Sequence, residues 1–194
     1  MNKKKGIIIS IIVVVLIIII AIGIAFVYSA KKEVELAQKE YEETVEKYGS
    51  VERETVDTVI AKFNTEIMDS GLNTPATNES MVTEDGLYWY ALTENISCYV
   101  RPVEFTGDHK TDNAELISIY FDKEGYKEET AINYWKKLIK ANKVELTNEE
   151  INTLVEDAKA NKDSEEMTAN GKGIYAAIIE TDNHYEYQVK RLYK

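Results

Sequence analysis

His109 and His184 are the chain's two imidazoles, and neither stands at metal-ligand spacing from the other or from the single cysteine, Cys98. A structural zinc site draws its ligands from short, regular intervals, so no zinc motif is present and both histidines read as turn residues. The oxygen-rich run Gly107-Asp-His-Lys-Thr-Asp-Asn-Ala-Glu115 could hold calcium through Asp108, Asp112, Asn113 and Glu115. It lacks the alternating ligands, central glycine and distant glutamate of an EF-hand, which makes it a solvated loop. No serine occupies a nucleophile elbow, so neither a Ser/His/Asp nor a Cys98-based triad is indicated. Gly171-Lys-Gly173 is too short for a phosphate loop and precedes a strand, where a phosphate loop opens a helix. A carboxylate pair for hydrolysis is the enzymatic alternative in a chain with 34 acids. Such a pair is recognised by separation in space, which sequence spacing does not give. No catalytic residue, metal or cofactor is assigned.

Tyrosine is the distinctive residue type, with 13 copies unevenly placed. Strand alternation sorts many of them to one side. One face collects Leu87, Trp89, Ala91, Ile96, Cys98, Val100, Ile117, Ile119 and Phe121, a conventional core in which Cys98 is a small buried hydrophobe. The opposite face collects Tyr88, Tyr90, Tyr99, Arg101, Ser118 and Tyr120, joined by Tyr185 and Tyr187. A tyrosine has a flat apolar body and a polar tip, which suits a wet surface for glycan or peptide. Tyr88, Tyr90, Tyr99, Arg101 and Tyr120 are therefore the candidate binding residues. The competing reading is that helices bury these rings, or that they form cross-strand ladders without a ligand.

The elements that would position this surface follow from periodicity. Lys31 to Tyr48 carries a narrow apolar seam at Val34, Ala37, Tyr41, Val45 and Tyr48, a helical stalk whose two heptads do not by themselves make a coiled coil. Gly49-Ser50 interrupts it, and Ser50 is the expected N-cap of a helix over Val51 to Ser70 with Val56, Val59, Ile60, Phe63 and Ile67 on one side. Strands are expected over Leu87–Leu92, Ile96–Val103 and Ala114–Phe121, the first two as a hairpin, with Pro102 at a strand end. Gly125 and Tyr126 then lead into a helix to about Asn142. The capping box Thr147-Asn-Glu-Glu150 then starts another through Ala158, and two strands close the chain over Ile174–Glu180 and Tyr185–Leu192. The order α-βββ-αα-ββ implies an α+β domain of helices on an antiparallel sheet of about five strands. It resembles the cystatin-like and NTF2-like architectures, which host enzymes and binding modules alike.

The location of that domain rests on Ile7 to Val27, twenty-one residues without a charge. As a helix they rise about 30 Å, the thickness of a bilayer's hydrocarbon core. The run exceeds the apolar core of about 7 to 15 residues in a cleaved signal peptide, so an uncleaved signal anchor is expected. Lys3, Lys4 and Lys5 precede it and hold the amino terminus in the cytoplasm. The expected plan is then a cytoplasmic start at 1–6, a transmembrane anchor at 7–27, a juxtamembrane stalk at 28–50 and an extracytoplasmic domain at 51–194. The formal charge of −11 becomes −14 for the part beyond the span, which disfavours nucleic acid and anionic lipid headgroups as partners. A single cysteine allows no intramolecular disulfide.

With 22 isoleucines, 20 lysines against 3 arginines and 13 asparagines, the composition looks like that of an AT-rich bacterial genome. The sequons Asn78-Glu-Ser80 and Asn95-Ile-Ser97 are then coincidental. In anchor, lysine-rich start and composition the chain resembles small single-pass membrane proteins with one extracytoplasmic domain from low-GC Gram-positive bacteria. The resemblance implies the cell membrane as location and no activity. The expected partners are the bilayer, through residues 7–27, and a protein or cell-envelope glycan, with an accessory subunit that pairs with a larger membrane complex through the stalk at Lys31 to Tyr48 as a further alternative.

Overall fold

The computed structural model describes residues 29–72, 81–143, 145–162 and 169–193. The span expected over Ile7–Val27 and the basic start Lys3, Lys4, Lys5 lie outside these residues. Among the described residues, no helix is long and apolar enough to cross a membrane. The chain divides into two compact units, Met1–Thr44 and Val45–Lys194. The described part of the first is helical and belongs to α1, residues 29–48, whose positions 29–43 are all exposed.

In the second unit, α2 (Val56–Met68) buries the expected stripe of Val56, Val59, Ile60, Phe63 and Ile67. Its N-cap is Thr55, whose side chain accepts from the Thr58 amide, and not Ser50. The residues between are held outside the helix from both ends, Val51 by Leu192 and Tyr193 and Glu54 with Thr55 by Ala114 and Asn113. The Val51 amide donates to the Leu192 carbonyl at 2.8 Å, and Val51 bridges Tyr193 in parallel. Arg191, only 1% exposed, fixes the same segment. Its guanidinium donates to the Glu52 carbonyl at 2.8 Å, to the Glu54 carboxylate at 2.9 Å and to Asn142 Oδ1 at 2.7 Å. A buried guanidinium is tolerated because it is paired and bonded in this way.

Among the described residues the sheet has seven antiparallel strands, numbered β1 to β7 in chain order with the ranges given next, in spatial order β1-β2-β3-β4-β7-β6-β5. The five expected strands are β2 (Tyr88–Thr93), β3 (Ile96–Pro102), β4 (Ala114–Asp122), β6 (Ile174–Glu180) and β7 (His184–Arg191). The remaining two, β1 (Met81–Val82) and β5 (Ala169–Asn170), are two-residue edges. They are too short to show alternation in sequence, and such edges offer little template for further pairing. Pro102 ends β3 where the register shifts, a site without a ladder donor to lose.

Of the helices, α3 (Glu128–Asn142) lies on β7 and β4, α4 (Asn148–Ala160) lies on β6 and β5, and α2 packs on α3. The capping box at Thr147 and Glu150 forms as expected. Trp135 is fully buried on the helix side of the sheet, and its indole donates to the Gln188 carbonyl at 3.0 Å. The Gly171-Lys-Gly173 turn is explained by close packing. A Cβ on Gly173, whose φ is +98°, would fall 2.5 Å from the Ser50 carbonyl carbon.

Candidate functional site

Residues paired across neighbouring strands point to the same side of a sheet, so the register assigns each ring to a face. Tyr88 pairs with Val100 and Tyr90 with Cys98, which turns both tyrosines into the helix-covered core at 0% and 2% exposure. Their expected place on the opposite face is corrected: the hairpin register differs by one residue from the expected one, and a one-residue slip exchanges the faces of a whole strand. The register shift between Ala91 and Thr93 accompanies this. Tyr88 is accommodated because its hydroxyl donates to the buried Asp112 carboxylate at 2.5 Å. Tyr187 is likewise core, set edge-to-face against Trp135 and Phe121, while Tyr185 stacks on Tyr126 at 4.3 Å. Neither joins the candidate surface.

Tyr99, Arg101 and Tyr120 do share the face that α2, α3 and α4 leave open, and Trp89 takes the place of the two lost tyrosines. Trp89 pairs with Tyr99, Tyr99 with Ser118, and Ser118 with Gln188 in one row across four strands. The rings form a lane. Tyr99 and Tyr120 lie 4.5 Å apart between centroids, and Tyr120 and His184 4.7 Å apart. The Trp89 side chain lies beside the Tyr99 hydroxyl and works against the burial that raises its titration. Burial, the Glu186 carboxylate and the bond to it push the Tyr120 phenol well above its ordinary range, and burial with Asp122 nearby raises that of Tyr99. Both are therefore neutral hydroxyls at any physiological pH. Glu186 and Gln188, each 9% exposed, floor the lane, Gln188 Nε2 donating to Glu186 Oε1 at 2.6 Å. At one end Glu115 lies between Arg101 at 3.5 Å and Lys190 at 4.0 Å, so it offsets one of those two cations.

Sequence reading missed Trp89, His184, Glu186 and Gln188. His184 opens β7 opposite Asp122 instead of closing a turn, and strand alternation extended by one residue would have placed it. The acid-rich loop has a separate, structural role. Asp112 accepts from Tyr88, from the Thr106 amide at 2.8 Å and from the Thr106 hydroxyl at 2.6 Å. The Asp112 and His109 carbonyls accept from the Val56 and Asp57 amides, capping the first turn of α2. Its acids thus point apart, and among the described residues no three His, Cys, Asp or Glu side chains converge as a metal set. Cys98 is buried, and its thiol is pushed up to about 12 by burial. That removes it as a nucleophile.

Among the described carboxyl groups with displaced titration, Glu54, Asp112, Glu145, Glu150 and Glu180 are all held below the ordinary range by hydrogen-bond donors, against burial in most of them. A general acid needs the opposite displacement. Asp122 and Glu124 rim a cleft with Asn95, Phe121 and Tyr126 at the far end of the sheet. Both are exposed, without the burial that prepares such an acid. Comparison with known proteins finds no matching family, no matching curated protein and no matching solved structure.

Proposed function

We propose that the chain is a single-pass, membrane-anchored extracytoplasmic binding module, and that the open face of its sheet holds a neutral envelope glycan. The observation that carries this is the ring lane of Trp89, Tyr99, Tyr120 and His184 on the sheet face opposite α2, α3 and α4, where Tyr48 packs only on the Tyr175 ring. Exposed aromatic faces stack against the apolar faces of sugar rings, and the Tyr, Ser118 and Gln188 polar groups supply hydrogen bonds. Glu115 offsets one of the two cations Arg101 and Lys190, which leaves the lane's end a single positive charge, too little to select a polyion on a chain that is acidic as a whole. The anchor at Ile7–Val27 and the lysines at 3, 4 and 5 support the location.

Tyr99→Ala and Tyr120→Ala test the surface. Each is expected to lower retention of the full-length protein on purified cell-wall glycan by tenfold or more, about the loss of one good ring contact, while the protein keeps a cooperative, somewhat lowered thermal transition. Undiminished retention in both variants overturns the proposed surface. Retention of an envelope protein in place of glycan would keep the face and replace its ligand class.

A further inference from the structure

The exposed seam of α1 has no counterpart in the ring lane, and it identifies a second surface. Val34 and Tyr41 are 65% and 40% exposed in a helix whose positions 29–43 all face outward. With Ala30, Ala37 and Thr44 they form an a/d series at alternating spacings of four and three, Ala30-Val34-Ala37-Tyr41-Thr44. Off this seam the helix surface is mainly charged. Its outer side is tied internally by Lys31–Glu35 at 3.8 Å, Lys39–Glu43 at 3.5 Å and Gln38–Glu42 at 3.2 Å. Those i,i+4 pairs stabilise a single helix and keep the seam free of charge. Tyr48 ends the series by packing edge-to-face on Tyr175 at 5.7 Å.

We infer that α1 pairs in parallel with α1 of a second copy of this chain. The inference rests on the membrane-anchored reading, because the uncharged run ends at Val27, immediately before the helix. Two chains inserted the same way then present the same seam at the same height, and confinement to a membrane raises their effective concentration. The small residues Ala30 and Ala37 recur seven apart, which permits close approach along the seam. Charge selects the same orientation. In a parallel pair Glu33 and Glu40 at g meet Gln38 and Val45 at e, whereas an antiparallel pair would set glutamates against each other.

Cysteine scanning of the full chain in its membrane tests this, and Cys98, buried with a raised thiol, gives no background. Mild oxidation is expected to give a disulfide dimer at V34C, A37C and Y41C, and to lose that band at L36C, K39C and E43C, whose side chains leave the seam. Adding V34K to A37C should abolish its band. Equal bands at all six positions, or no dimer band at any, overturn the pairing. Adducts of another mass confined to the seam positions overturn the second copy in favour of a different partner. An alkaline wash separates the two readings. Release of the chain from the membrane sinks the anchor whatever the bands show, while retention with aperiodic bands sinks the pairing alone.

Discussion

At the residue scale, the polar group that matters most to the domain is Asp112. It is 3% exposed and accepts hydrogen bonds from Tyr88 and Thr106, tying β2 to the loop that caps α2. Burial alone would raise its titration, yet the donors outweigh it and hold the carboxyl below the ordinary range. The sign is that of a depressed acid. Its contribution is present above the unfolded-state value and is lost as pH falls through the folded one. Asp112→Ala should therefore cost about 2 kcal/mol at neutral pH, because the Tyr88 hydroxyl loses its acceptor. The gap between variant and parent in urea unfolding should narrow below about pH 4. An unchanged gap at low pH would remove the carboxylate from this account. Tyr88 also shows why residue type misleads. Tyrosine favours half-wet surfaces in general, but a buried acceptor reached from a distant loop makes the ring core, and nothing local to Tyr88 announces that partner.

At the scale of elements, the signals that were legible are those that operate within one helix or strand. The TNEE box, the Val56 to Ile67 stripe and the alternation from Ile96 to Val100 each fix their own element. What sequence did not give are relations between elements. The hairpin register of β2 on β3, the two-residue edges and the extended stretch ahead of Thr55 all depend on a partner strand. The last of these is the clearest. Ser50 is a good N-cap by type, yet Val51 pairs with Tyr193 and the Glu54 carbonyl accepts from the Ala114 amide, and the helix waits for Thr55. Gly173 makes that crossing possible. Gly173→Ala should lower stability by about 3 kcal/mol, since the new methyl meets Ser50 backbone at 2.5 Å and the φ of +98° disfavours any side chain. A calorimetric transition within a degree of the parent's would contradict the close crossing.

At the scale of the whole molecule, a sheet that is covered by helices on one side divides labour between its faces. The covered face carries the core of Trp135, Tyr187, Phe121 and their neighbours. The open face can then carry Trp89, Tyr99 and Tyr120 for recognition, with Ser118 and Ala177 leaving low points between larger groups. The membrane anchor proposed for residues 7–27 would hold this face near its polymer, and paired stalks would present two copies of it. Legibility at this scale was partial for a physical reason. Tyr99, Arg101 and Tyr120 follow from alternation within β3 and β4, whereas Trp89 turns on the parity of one hairpin and His184, Glu186 and Gln188 on the register of β7 against β4. The most direct measurement is a photo-crosslinking residue at position 99 of the full-length protein in intact cells, with position 156 on the exposed side of α4 as control. The account predicts a glycan adduct at 99 and none at 156. Crosslinks from 99 that stay within the chain itself would mean that its own residues cover the face, and would contradict the account.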